Sequence, residues 1–155
     1  MASRRDVILD AMVALLGTST VNGHGKPASL TVSRQRTLPF ASSQLPAMAV
    51  YVVSEEVQAG PARGMDNKRL ARRKAQVCVE SRCIVTTTPD QDIDPLISWA
   101  VQALCATQQL SAGVHDIQEL GTVWDQVEND TTLAGARTMF LVDYVTSASD
   151  PDAAT

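Results

Sequence analysis

Between Ala75 and Val85 the chain alternates regularly enough to dictate a strand. Its odd positions are Ala75, Val77, Val79, Ser81, Cys83 and Val85, and its even positions are Gln76, Cys78, Glu80, Arg82 and Ile84. A period of two sends one set to a buried face and the other to a wetter one. Extended back through Leu70, the strand exceeds the usual length of about ten residues. Upstream, AMAVYVVSEEV is more uniformly apolar, with Val50, Tyr51, Val52 and Val53 in succession. That pattern predicts a central strand covered on both faces. QAGPARGMDN, from Gln58 to Asn67, lies between the two and holds two Gly and one Pro. It predicts an exposed loop. Together the three segments make a long hairpin with that loop as its tip.

The flanking segments supply two helices and further strands. Ser3 can cap a helix from Arg4 to Leu16 and Gly17 can end it, with Val7, Ile8, Ala11, Met12 and Leu15 as its apolar stripe. TSTVNGHGKPAS predicts a polar loop, LTVSRQRTL a short strand near a sheet edge, and PFASSQLP a loop bounded by prolines. A second helix spans IDPLISWAVQALCAT. Asp92 or Asp94 is its candidate cap, Pro95 suits its first turn, and Ile93, Ile97, Ala100, Val101 and Leu104 form its stripe. A loop runs from Gln108 to Gly113. VHDIQELGTVWDQVEND is ambiguous, with strand-like alternation at Val123 and Val127; LAGARTMFLVDYVT is a strong strand. Two helices cannot cover both faces of five or six strands. The expected fold is therefore α+β: a mostly antiparallel β-sheet with two or three helices packed on one face. The other face stays partly open or meets another subunit. Residues 1–147 are expected to form one domain and 148–155 a disordered acidic tail.

Chemistry is sparse. The net charge is −4, whereas a free-standing nucleic-acid binder is usually basic. Any DNA role must come from a local patch. Asp6 and Asp10 interrupt the apolar run near the start, arguing for an amphipathic helix over a secretory signal, and no apolar stretch approaches the ~20 residues that span a bilayer. Cys78, Cys83 and Cys105 lack CxxC spacing, and the first two should face opposite ways along their strand. They read as free thiols. GHGKP lacks the Gly and the Ser or Thr of a phosphate-binding loop; PDQDIDP lacks the Gly and terminal Glu of a calcium loop. His24 and His115 fall in expected loops, and Trp99 and Trp124 read as packing residues. No catalytic, cofactor-binding or metal-binding residue emerges, so the chain does not read as an enzyme.

One charged feature stands out. Lys68, Arg69, Arg72, Arg73 and Lys74 are five of the thirteen Lys and Arg. On a strand, Lys68, Arg72 and Lys74 share one face and Arg69 and Arg73 the other. The run has no interleaved aromatics of the kind that stack on single strands. Hairpin pairing brings it near Glu55 and Glu56, so cross-strand ion pairs account for part of it. A protein contact or a loose DNA-facing patch accounts for the rest. Arg72 and Arg73 are both expected near an exposed strand end, where charge reversal leaves the fold intact.

LTVSRQRTLPFASSQLPAMAVYVVSEE, RRKAQVCVESRC, DIDPLISWAVQAL and GTVWDQVENDTTLAGARTMFLVDYVT, taken in succession, resemble tail terminator proteins of long-tailed bacteriophages. The resemblance covers about Asp6 to Thr146 and rests on fold and packing patterns. It implies a homo-oligomeric ring, typically a hexamer, at the head-proximal end of the virion tail, assembled in the host cytoplasm. Such a ring stops polymerisation of tail tube protein and presents a surface to the head–tail connector or stopper. Genome DNA passes through its channel without sequence-specific binding, and neither cofactor nor membrane is involved. On that reading the candidate subunit or tube interface comprises Glu55, Glu56, Arg63, Met65, Lys68, Arg69, Arg72, Arg73 and Lys74. A neck protein that joins head to tail without terminating it is the nearest alternative; a small DNA-binding accessory protein is the next.

Overall fold

The structure, a computed structural model, describes residues 2–34, 42–63, 69–106, 110, 113–125 and 133–151, without the side chains of 42 and 59–63. Helix α1 (Arg4–Leu16) is followed by a miniature hairpin of β1 (Thr20–Val21) and β2 (His24–Gly25). Then come β3 (Thr31–Arg34), a 3-10 turn (Ser42–Gln44), β4 (Ala47–Arg63), β5 (Arg69–Ile84), α2 (Pro89–Cys105), β6 (Val114–Asp125) and β7 (Leu133–Ser147). The main sheet has the order β3-β4-β5-β7-β6 and is antiparallel except where β3 runs parallel to β4. Both helices pack on one face, as the scarcity of helix relative to strand requires.

Alternation places the core. Met48, Val50, Ala75, Val77, Val79, Phe140 and Val142 meet Ile8, Leu9, Met12, Ile93, Leu96 and Trp99 in one apolar cluster. The Trp99 indole Nε1–H donates to the Leu16 carbonyl at 3.0 Å, tying α2 to the end of α1. Its indole is thus both buried and satisfied. Ser3 and Asp6 form a reciprocal capping box at the start of α1, and Gly17 follows its end as expected.

Several expectations need correction. Val7 is exposed, and α1 buries Leu9 and Leu16 instead of the half-buried Ala11 and Leu15. The α2 stripe also includes Leu96, Trp99 and Ala103, whereas Ile97 and Val101 are only half-buried. Helix α2 begins at Pro89 under a Thr88 cap, so Pro95 lies inside it. Asp92 is not the cap. Its carboxylate reaches back to the backbone N–H of Thr86 at 2.6 Å and of Thr87 at 2.9 Å. Those donors hold its pKa below the usual carboxylate value. The Asn22-Gly23 turn, with φ of 48° and 82°, makes a two-residue hairpin where a loop was expected. His24 and His115 lie in strands, both exposed. The described part of the ambiguous segment, Val114–Asp125, is strand β6, on which Trp124 is half exposed instead of packed. Strand β4 runs on to Arg63, taking six of the ten residues of the expected tip loop. The expectations for residues 35–41, 64–68, 107–109, 111–112, 126–132 (with the alternation at Val127) and 152–155 lie outside the described residues.

Candidate assembly surface

Strands β4 and β5 pair from Ala47↔Arg82 to Arg63↔Arg69, with register shifts between Val52 and Ser54 and between Ala59 and Arg63. Strand β7 follows β5 along its whole length, from Leu70↔Ser147 to Ile84↔Leu133. From Arg69 on, the basic run therefore lies in a central strand, with a neighbour on each side, and alternation divides its cations between two different environments.

Arg73 faces the helices. Its guanidinium sits 2.7 Å from Glu55, and its Nε–H donates to Thr146 Oγ1 at 2.9 Å. Arg5, from α1, reaches the same carboxylate at 3.1 Å, and the Tyr144 hydroxyl donates to it as well. The Glu55 and Arg73 side chains are only 11% and 12% exposed. Burial pushes the Glu55 carboxyl up, but Tyr144, Arg5 and Arg73 together outweigh it and leave the pKa below the ordinary value. Burial, reinforced by the bond to Glu55, pushes the Tyr144 phenol up to about 12. The cluster fastens the N-terminus of α1 to the base of the hairpin. Arg73 is therefore not a spare surface cation, and the expectation that reversing its charge leaves the fold intact is corrected.

Arg72 faces the other way, onto the bare face. Its Nε–H lies 2.9 Å from Asp143 Oδ1, and its guanidinium closes a second contact to the same carboxylate. Lys74 sits in register between Glu56 on β4 and Asp143 on β7. Arg69 is exposed and makes no ion pair among the described residues. Arg63 ends β4, its side chain not described, while Met65 and Lys68 lie outside the described residues. Of the nine candidate residues, the structure thus joins Glu55 to Arg73, aligns Glu56 with Lys74, and leaves Arg69 and Arg72 outermost. Sequence reasoning missed Arg5, Tyr144 and Asp143, because each lies far along the chain from the basic run.

A second charged group occupies the opposite end of the bare face. Arg82 contacts Glu80 at 2.8 Å and Asp125 at 3.5 Å, and Arg137 contacts Asp125 at 3.0 Å. Between the two charged ends lie Tyr51, Cys78, Met139 and Leu141, which no helix among the described residues covers, although Cys78 is only 1% exposed. Cys78 is on this face and Cys83 in the core, so the two thiols point apart as expected. Among the described residues no group of three or more His, Cys, Asp or Glu is arranged to hold a metal, and no helix is long and apolar enough to cross a membrane.

The fold has a solved counterpart. A chain in a structure titled "Virion of native gene transfer agent (GTA) particle" matches at a TM-score of 0.52 and 12% identity. The match covers 93% of this chain and 96% of that one. At that identity the likeness is one of fold, and it extends over nearly the whole of both chains. No family model matches the sequence, and no curated protein does.

Proposed function

We propose that this chain is a structural subunit of a phage-like virion. It assembles into a ring that caps the head-proximal end of the tail tube, stops tail polymerisation and offers the surface on which the head docks. The observation that carries this reading is the near end-to-end match in fold to a virion chain. The architecture supports it: no helix among the described residues covers one sheet face, and β4 and β5 pair into a long hairpin. Tube subunits stacked by one repeated interface have no intrinsic end, so a terminator must match that edge on one side and withhold it on the other.

The internal pairing of Arg73 and Arg72 weighs against a DNA-binding accessory role. Two of the five cations of the run are already committed to carboxylates of the same chain. That leaves fewer free cations to grip a DNA backbone.

Phage lacking the protein is expected to make filled heads and unattached tails, many of abnormal length. Removing the hairpin tip should leave a folded protein and the same defect. Electron microscopy of the null phage decides between this role and a neck protein. Tails of uniform length that merely fail to join heads would move the assignment to the neck.

A further inference from the structure

Arg4 is the most buried cation among the described residues. It is only 7% exposed, yet it forms no ion pair and no side-chain hydrogen bond with any of them. Its Nε is sealed from solvent without an acceptor. A charge taken out of water without a partner is costly, so chains ordinarily pair it or leave it exposed. The acids closest to it in sequence and register are already engaged. Asp6 is bound by Arg34, Glu55 by Arg5 and Arg73, and Asp143 by Arg72. Arg4 is thus one half of an ion pair.

The guanidinium is nonetheless held in place. A methyl at Gly113 would sit 2.7 Å from the Arg4 Nη2 and 3.5 Å from its Cζ, so the side chain lies against bare backbone there. Gly113 adopts a left-handed φ of 83°, and its carbonyl accepts the Val145 N–H at 3.1 Å. That bond fastens the approach to β6 onto β7 and gives the guanidinium a fixed support.

The first turn of α1 adds donors. Arg4 is the first residue of the helix, and helical side chains lean towards the N-terminus. Ser3 Oγ accepts the Asp6 N–H, and the Ser3 carbonyl accepts that of Val7, both at 3.1 Å. The N–H groups of Arg4 and Arg5 have no acceptor among the described residues. Free N–H groups at the positive end of a helix favour an anion.

We propose that Arg4 and the first turn of α1 form a site for one small oxyanion, a carboxylate or a phosphate. A guanidinium presents parallel N–H donors that match two oxygens of either group. With so little of Arg4 open to water, the site suits a single anionic group. It does not depend on the virion role, and its test involves no assembly.

Thermal unfolding of the purified chain in sodium acetate, phosphate and chloride, at equal pH and ionic strength, tests the site. Acetate or phosphate should raise the melting temperature above that in chloride and saturate, since a ligand held only by the folded chain stabilises it. The one that binds more tightly names the class. Arg4→Met keeps much of the bulk and removes the charge. In chloride it should melt no lower than the parent, because no internal bond is lost. Calorimetry should show its anion affinity reduced about tenfold or more. Arg69→Met, which removes an exposed cation, should respond as the parent does. A parent chain with no saturable response to either anion overturns the proposal, and that measurement needs no variant. So does an Arg4→Met chain that responds like the parent, or an Arg69→Met chain that loses the response equally. An Arg4→Met chain that is unfolded or much less stable in chloride also overturns it, because Arg4 would then serve a partner within the fold.

Discussion

The two faces of the main sheet handle charge in opposite ways. On the helix-covered face, one carboxylate, Glu55, gathers Arg5, Arg73 and Tyr144 around itself, largely out of water. On the bare face the charges are shared out between neighbours nearer to water: exposed Arg72 with the mostly buried Asp143, and the partly exposed Glu80, Arg82, Asp125 and Arg137 in a chain. Removing a member of a buried cluster strands its partners without solvent, whereas an exposed pair loses only a screened attraction. Adjacent residues of one strand therefore have unequal structural weight. The covered face holds the fold together and the bare face is free to meet something else.

The widest expected gap lies within β7, where Phe140 and Leu141 point to opposite faces. Phe140 is fully buried under the helices. Phe140→Ala should cost about 3–5 kcal/mol through lost burial and a cavity. Leu141→Ala, on the half-exposed bare face, should cost about 1 kcal/mol. Chemical denaturation of the two variants reads the contrast directly. Equal losses would mean that the bare face is packed in the free chain, contrary to the asymmetry described above.

Next in size is the charged cluster. Glu55→Ala leaves Arg73 and the Tyr144 hydroxyl without their shared acceptor, at an expected cost of about 2–3 kcal/mol. Arg72→Ala should cost less: its guanidinium is 57% exposed, and removing it opens the mostly buried Asp143 carboxylate to water. The Glu55 and Arg72 variants thus separate the faces more sharply than a double charge reversal, which would mix an interface defect with a folding defect.

The same cluster sets a pH dependence. The Glu55 carboxyl is held below its ordinary value, so it binds its proton less readily in the folded state. Its contribution is present above the unfolded carboxyl range, near pH ~4.3, and is lost as pH falls through the folded value. Tyr144 behaves in the opposite sense. Its phenol rises from 10.0 to about 12, so its contribution is complete below 10 and fades as pH climbs towards 12. Comparing the chain with Glu55→Gln isolates the acid limb. The stability difference between the two should shrink steadily below about pH 4. A constant difference through that range would mean that Glu55 is not the titrating group.

Much of this division was legible in the sequence. Strict alternation from Ala75 to Val85 assigned the faces of β5, and separated Arg72 from Arg73 before any contact was visible. Hairpin pairing brought Glu55 within reach of the run. Other features depend on long-range register that no local pattern carries. Tyr144 and Asp143 join the site because β7 lies beside β5, and Arg5 because α1 lies across that face. Helix stripes were less certain, because α1 rotates its buried side toward Leu9 and Leu16 to meet α2. The Asn22-Gly23 hairpin had a local signal, but its strands are two residues each, too short for alternation to show. The half-exposed Trp124 was misread because a tryptophan in a strand ordinarily packs, and nothing local marks a sheet edge.

The smallest effect is expected at Gly135, and it tests how loosely the bare face is held. Arg82 crosses β7 there to reach Asp125 on β6. An added methyl at Gly135 would sit 2.7 Å from the Arg82 Nη1 and 3.2 Å from its Cδ, so the side chain must swing aside. The backbone itself has no positive φ at this position and accepts alanine. Two small terms then oppose each other. Alanine stabilises a strand relative to glycine by about 0.5–1 kcal/mol. Loss of a partly exposed ion pair costs about 0–1 kcal/mol. Gly135→Ala should therefore be close to neutral by denaturation. A loss above about 2 kcal/mol would mean that Arg82, Asp125 and Arg137 act as one cooperative unit. The charges of the bare face would then resemble the cluster around Glu55, and that face would be part of the folded core's support instead of a surface kept available for assembly.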